Sequence, residues 1–118
     1  MRDERLYLDD ILEAAASIDR TLRGITEEEW VENEIYRDAV LYRLVIIGEA
    51  AARLSDELRN RHSDIVWRDI IGFRNFAVHH YFGLNLDVVW YTARHDVPLL
   101  ALQIAQILRD DFNELPYD

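Results

Sequence analysis

The chain has 118 residues, half of them hydrophobic, and a formal net charge of −10. Such a length suits one domain over residues 1–118 that buries roughly two thirds of its unfolded surface. With 4 glycines and 2 prolines it lacks the turn density of an all-β fold, and with no cysteine it has no disulfide, thiolate nucleophile or cysteine-ligated zinc. No apolar run nears the ~20 residues of a membrane span, and the opening Met-Arg-Asp-Glu-Arg is unlike a signal peptide, so a soluble cytoplasmic domain is expected.

Apolar positions recur at helical spacing throughout, which predicts an all-α fold. A first helix is predicted from about Asp3 to Arg23, with Leu8, Ile11, Leu12, Ala15, Ile18 and Leu22 on one stripe and Gly24 ending it. Thr26 followed by Glu29 is a capping box for a short helix that fades near Asn33. A long helix is predicted from about Ile35 to Leu58, carrying Ala39, Tyr42, Leu44, Val45, Ile46, Ile47 and Leu54. Ser63 or Asp64 is the expected cap of the next helix, which carries Trp67, Ile70, Ile71, Arg74, Val78 and Tyr81 and stops at Gly83. Asn85 or Asp87 opens the last helical segment, which Pro98 kinks or divides before it ends near Asp111. The sum is an up-and-down bundle of four to five helices with short connections.

Two glycines sit inside predicted helices, each costing about 1 kcal/mol relative to alanine. Gly48, followed by Glu49-Ala50-Ala51-Ala52, makes a small-residue patch, and Gly72 lies two residues before Arg74. Close helix–helix approach is the expected reason for both. Between subunits, the same patch would form a dimer interface. The tryptophans Trp30, Trp67 and Trp90 and the phenylalanines Phe73 and Phe76 are expected in the core.

Residues 74–81 read Arg-Asn-Phe-Ala-Val-His-His-Tyr. On a helical wheel with Arg74 at zero, Tyr81 falls at about −20°, Asn75 at about 100° and His79 at about 140°. A fixed cation, a proton carrier and an amide on one broad face suit an anionic substrate such as a phosphodiester. His80 lies about 100° further round than His79. Adjacent histidines cannot share one ion from a helix, so no metal site is expected. The charge is also uneven. Residues 53–80 hold five arginines (53, 59, 61, 68, 74) against four acids, whereas the rest of the chain is strongly acidic. Every basic residue is arginine, the better bidentate ligand for phosphate, although codon bias would give the same composition.

The stretches Arg5-Leu-Tyr-Leu-Asp-Asp-Ile-Leu-Glu-Ala, Ile47-Gly-Glu-Ala-Ala, Ile65-Val-Trp-Arg-Asp-Ile-Ile-Gly-Phe-Arg-Asn, His79-His-Tyr-Phe-Gly, Val88-Val-Trp and Asp96-Val-Pro-Leu-Leu stand in order along the chain. Together they resemble the HepT-like family of the HEPN superfamily of small helical ribonucleases, over about Arg5 to Leu108. The resemblance implies a homodimer that brings two copies of the Arg/His motif to a two-fold axis. It implies a metal-independent endoribonuclease acting as the toxin of a toxin–antitoxin pair, with RNA as substrate. In that reading Arg74 holds the scissile phosphate, His79 moves the proton of the attacking 2′-hydroxyl and Asn75 orients the imidazole. The partner implied is an MntA-type minimal nucleotidyltransferase that transfers AMP onto Tyr81. The residues alone leave other readings open: Arg74 paired with a carboxylate such as Glu49 or Asp69, Asn75 capping a neighbouring element, and a non-enzymatic dimer module that binds a nucleotide or a nucleotidyltransferase.

Overall fold

The computed structural model describes residues 2–79 and 81–113, with the backbone alone for Val78, His79 and Tyr81. All regular structure among these residues is helical: α1 (Glu4–Leu22), α2 (Glu27–Glu32), α3 (Glu34–Ala52), α4 (Asp56–Arg61), α5 (Trp67–His79), α6 (Leu86–Tyr91) and α7 (Val97–Phe112). The side chain of Asp3 caps α1 by accepting from the amide of Arg5. Gly24 follows α1 at a φ of 78°, a left-handed conformation that disfavours side chains. Both halves of the Thr26/Glu29 capping box form at the start of α2. Asn85 Oδ1 accepts from the amides of Asp87 and Val88, which starts α6 as expected.

Pro98 divides the last helical segment without bending it out of helical conformation. A proline there lacks the amide for an i→i−4 bond, and its ring crowds the carbonyl four residues back. Residues Thr92–Asp96 widen into a π segment, in which the amide of Val97 reaches back five residues to the carbonyl of Thr92. Pro98 thus falls in the first turn of α7, and α6, the π segment and α7 make one rod.

Seven α-helices stand among the described residues where the sequence predicts four to five, and three boundaries differ, one being the end of the motif helix, at His79 rather than Gly83. The long helix ends at Ala52 rather than Leu58, because Ser55 starts a separate helix: its Oγ accepts from the amide of Leu58. Its own amide donates to the carboxylate of Glu4 on α1, so the break is fixed by a residue 51 positions away. The motif helix starts at Trp67, not at a Ser63 or Asp64 cap. The backbone carbonyl of Val66 receives the amide of Ile70, Ile65 is buried, and the indole of Trp67 donates to the carbonyl of His62 at 3.0 Å. Burying Ile65 and Trp67 overrides the local capping signal.

The core forms where α1 packs on α3 and α7. Leu8, Ile11, Ile18 and Leu22 of α1 meet Leu44 and Ile47 of α3 and Ile104, Ile107 and Leu108 of α7, all buried. Trp30 is buried and lies 5.7 Å, centroid to centroid, from Trp90. Phe73 and Trp90 pack partly buried against this core, but Phe76 is 46% exposed, contrary to expectation. Tyr42, expected on the apolar stripe of α3, also faces outward. No helix among the described residues is long and apolar enough to cross a membrane.

On its other flank α3 carries α5, and the contact is made at Gly48. A Cβ built there would fall on Cβ of Arg74 and lie 3.1 Å from the carbonyl oxygen of Ile70. The close approach is therefore within one chain, with Ala50 and Ala51 buried, so the small-residue patch is not a free surface for a second copy. Gly72 behaves otherwise. It is exposed, and a Cβ there would meet nothing within 4 Å, so helix approach is not its reason.

The short α4 is tied to the end of α7. Asp111 Oδ2 lies 2.8 Å from His62 Nε2 and 3.0 Å from an Arg61 guanidinium nitrogen. Partial burial pulls the Asp111 carboxyl upward, and the hydrogen bonds from His62 and Arg61 more than offset it, holding the group below its ordinary 3.8.

Two outcomes follow for stability. Gly48→Ala should lower the unfolding free energy by roughly 1–3 kcal/mol through overpacking. Gly72→Ala should raise it by up to ~1 kcal/mol through helix propensity. Urea denaturation distinguishes them; equal effects would mean that the α3–α5 crossing does not depend on Gly48. For Asp111, a folded value below the unfolded one contributes stability above the unfolded value, lost as pH falls through the folded value. The stability gap between the native chain and Asp111→Asn should therefore narrow as the pH falls from about 5 to below 4, read from denaturant midpoints across that range.

Candidate active site

Arg74 lies where α5 crosses α3. Its Cβ and Cγ fill the space that the missing side chain of Gly48 leaves, so its stem is packed before its charge is considered. From there the guanidinium reaches the next residue of α3, and Nη1 donates to Oε1 of Glu49. The second oxygen of Glu49 lies 4.0 Å from an Arg53 guanidinium nitrogen, so one carboxylate answers two cations. Of the carboxylates considered from sequence, Glu49 is the one that pairs with Arg74. The Arg74 side chain is 23% exposed and that of Glu49 44%. Nε of Arg74 is buried without a hydrogen-bond partner. A guanidinium has five N–H donors, and the Glu49 bond engages one nitrogen, so Arg74 stays positioned and charged with capacity left for a second anion.

Asn75 follows directly but points elsewhere. It is exposed and lines a groove of about 750 Å³ between α4 and α5, together with Asp56, Arg59, Asn60, Arg68 and Gly72. Arg74 and Asn75 are neighbours in sequence on two different flanks of α5, about 100° apart on an ideal helix.

The other motif positions are described less fully. His79 is the last residue of α5, one turn after Asn75, and its side chain lies outside the described residues. Tyr81 opens a 3₁₀ turn, Tyr81–Gly83, and its side chain also lies outside them; His80 lies outside altogether. The α-helix ends before Tyr81, so an angle obtained by stepping 100° per residue does not apply to that position. The geometry thus joins Arg74 to Glu49 and Asn75 to the α4–α5 groove. Among the described residues no group of three or more His, Asp or Glu side chains comes together as a metal site would require.

Two participants escaped the sequence reading. The His62–Asp111 pair spans 49 positions and has no local signal. Arg68 does have one: Arg68, Gly72 and Asn75 are spaced i, i+4, i+7, which puts them on one stripe of α5.

A family model for ribonuclease HepT-like proteins matches residues 11–107. The chain is 34% identical over 111 residues to a protein of Caldanaerobacter subterraneus subsp. tengcongensis named "Putative RNase", covering 94% of this chain and 99% of that one. It is 32% identical over 103 residues to a Methanocaldococcus jannaschii protein of the same description, covering 87% and 94% of the two chains. It is 34% identical over 99 residues to a Thermococcus cleftensis protein named "Probable ribonuclease HepT", covering 84% and 90%. No solved structure matches. The chain belongs to the ribonuclease HepT-like family.

The seam permits a test that separates stem from charge. Arg74→Met keeps a packed stem over Gly48, so it should retain more stability than Arg74→Ala. Glu49→Gln should cost no more than ~1 kcal/mol, as expected of a partly exposed ion pair. Denaturant midpoints decide this, and an Arg74→Met variant as unstable as Arg74→Ala would show that the ion pair, not the stem, holds α5 in place.

Proposed function

We propose that this chain is a metal-independent endoribonuclease, the toxin of a toxin–antitoxin pair that acts in the cytoplasm. The family gives the reaction class, and the observation that carries the site is Arg74, packed by its stem and oriented by Glu49 with donors to spare. An arginine fixed in advance can hold a scissile phosphate and offset the charge that develops on the phosphorane without reorganising. His79 takes the proton of the ribose 2′-hydroxyl, and the 2′-oxygen bonds to phosphorus. The phosphorus bond to the 5′-oxygen breaks, and that oxygen leaves with a proton from the medium. The products are a 2′,3′-cyclic phosphate and a 5′-hydroxyl, and DNA lacks the nucleophile. Asn75, one turn before His79, orients the imidazole.

The functional unit in this reading is a homodimer. Its support is the apolar face beside the motif, where Phe76 and Val88 are exposed along a cleft of about 590 Å³ between α5 and α6. Tyr81 is the acceptor for AMP from a cognate MntA-type nucleotidyltransferase. The added phosphodiester places an anion and bulk beside the motif and opposes RNA binding. The Glu49–Arg74 pair gives some weight to a second reading, a non-enzymatic dimer module that binds a nucleotide or that transferase.

One experiment set separates them. The purified protein should cleave total RNA in EDTA and spare DNA, and Arg74→Ala and His79→Ala should each lower the rate by about 10²-fold or more. His80→Ala should keep most of it. With the partner, ATP and magnesium, intact mass should show AMP added to the native chain and not to Tyr81→Phe. No RNA cleavage under any condition would leave the binding module as the reading, and labelled Tyr81→Phe would move the acceptor to another tyrosine.

A further inference from the structure

The geometry points to the α4–α5 groove as a phosphate-binding extension of the RNA site, anchored by Arg68. This rests on the ribonuclease reading and assigns where substrate lies away from the scissile bond. Seven of the thirteen arginines, Arg2, Arg20, Arg23, Arg53, Arg59, Arg61 and Arg74, pair with carboxylates, four more bond to other acceptors or lie over rings, and of the remaining two, Arg5 and Arg68, only Arg68 lines this groove. Arg68 is exposed on the ridge between this groove and the α5–α6 cleft, lining both, and has no carboxylate or ring partner among the described residues. Keeping a bidentate cation free beside a groove, on a chain of net charge −10, fits an anion that comes from outside.

The floor of the groove fits the same ligand. Gly72 is one turn beyond Arg68 and Asn75 nearly one turn beyond that, on a single stripe. Gly72 lowers helix stability by about 1 kcal/mol relative to alanine, and among the described residues nothing lies within 4 Å of where its Cβ would be. An open glycine lets a sugar–phosphate backbone lie directly on the helix between two donor side chains. Across the groove, Arg59, Asn60 and Ser63 supply further donors. The acids present are Asp56, already bonded to Arg59 at 2.7 Å, and Asp69, one position round the helix from Arg68. A dinucleotide has one phosphodiester, the scissile one at Arg74, and Arg68 lies about 9 Å along the axis from Arg74, so only a longer strand offers Arg68 a phosphate. The contact is to phosphate, so it is indifferent to base sequence.

The test compares an RNA dinucleotide with a decamer, and adds binding of a decamer whose 2′-hydroxyl at the cleavage position is replaced by hydrogen. In Arg68→Gln the ratio of kcat/KM for decamer over dinucleotide should fall about 10-fold, through KM. Binding of the blocked decamer should weaken similarly, and its log Kd against log salt slope should fall by about 0.7, the value for one phosphate contact to a single strand. Arg68→Lys should recover part of the loss. Arg20→Gln removes the same charge from α1 and should leave the ratio as in the native chain. An unchanged ratio and slope in Arg68→Gln, with the native chain cleaving RNA, would overturn the inference alone. A native chain that cleaves no RNA overturns the ribonuclease reading, and the salt slope of the blocked decamer then still decides whether Arg68 holds a phosphate. Equal losses on dinucleotide and decamer would place Arg68 at the scissile bond or in the fold and also overturn the extension.

Discussion

The motif helix rests chiefly on α3, and the two cross at Gly48. The height and rotation of α5 are therefore set where a side chain is missing and the stem of Arg74 takes the space. Helix pairs ordinarily lie 8–10 Å apart, and a glycine at the crossing permits the low end of that range. The residue that fills the gap is the arginine of the motif itself, so the packing that docks α5 also immobilises its cation. An arginine on a solvated face would carry ~2 kcal/mol of rotamer entropy into each encounter with substrate. Here the fold restricts that freedom in advance.

Glu49 completes this arrangement, and it has two opposed effects. It orients Arg74, and it also competes for it, because a carboxylate and a phosphate oxygen ask for the same donors. The balance depends on exposure. Glu49 is nearly half exposed and its second oxygen leans toward Arg53, so its hold on Arg74 is screened by water and shared with another cation. The Nε of Arg74 is buried, so a second anion would be met by the Nη nitrogens at the tip of the guanidinium. A weak, divided ion pair leaves Arg74 able to exchange its carboxylate for another anion.

Much of the fold was legible in sequence because it rests on local chemistry. Asp3, the Thr26/Glu29 box, Gly24 and Asn85 act within a few residues of themselves, and the α1 stripe reads directly as core. Boundaries set by distant partners were not legible. Ser55 could be mistaken for the interior of a long helix until Glu4 is seen to hold its amide, and Ser63 looks like a cap until Ile65 and Trp67 are seen to be buried. The two interior glycines are the sharper lesson. Both invited the same explanation, and only Gly48 has a neighbour that requires it. Helical phase alone also overreached at the motif, because the angle assigned to Tyr81 presumes an α-helix that ends at His79. The same phase, applied two turns upstream, relates Arg68, Gly72 and Asn75 correctly.

Net charge is a poor guide to substrate for a protein built this way. At physiological salt a charge is screened beyond about 8 Å, so acids on remote faces of a particle 42 × 32 × 25 Å in extent contribute little at the groove. What an incoming phosphate meets is the near field, and there the groove lining sets Arg59 and Arg68 against Asp56 and Asp69, balanced where the chain as a whole is strongly acidic. The remote acids still lower affinity for nucleic acid in general, because they remove the long-range attraction that a basic surface gives. A strand held by a few positioned contacts and repelled elsewhere is retained only where those contacts can be made together. In the proposed reading, a single strand that follows α5 can make those contacts together, whereas a duplex presents its charge on all sides.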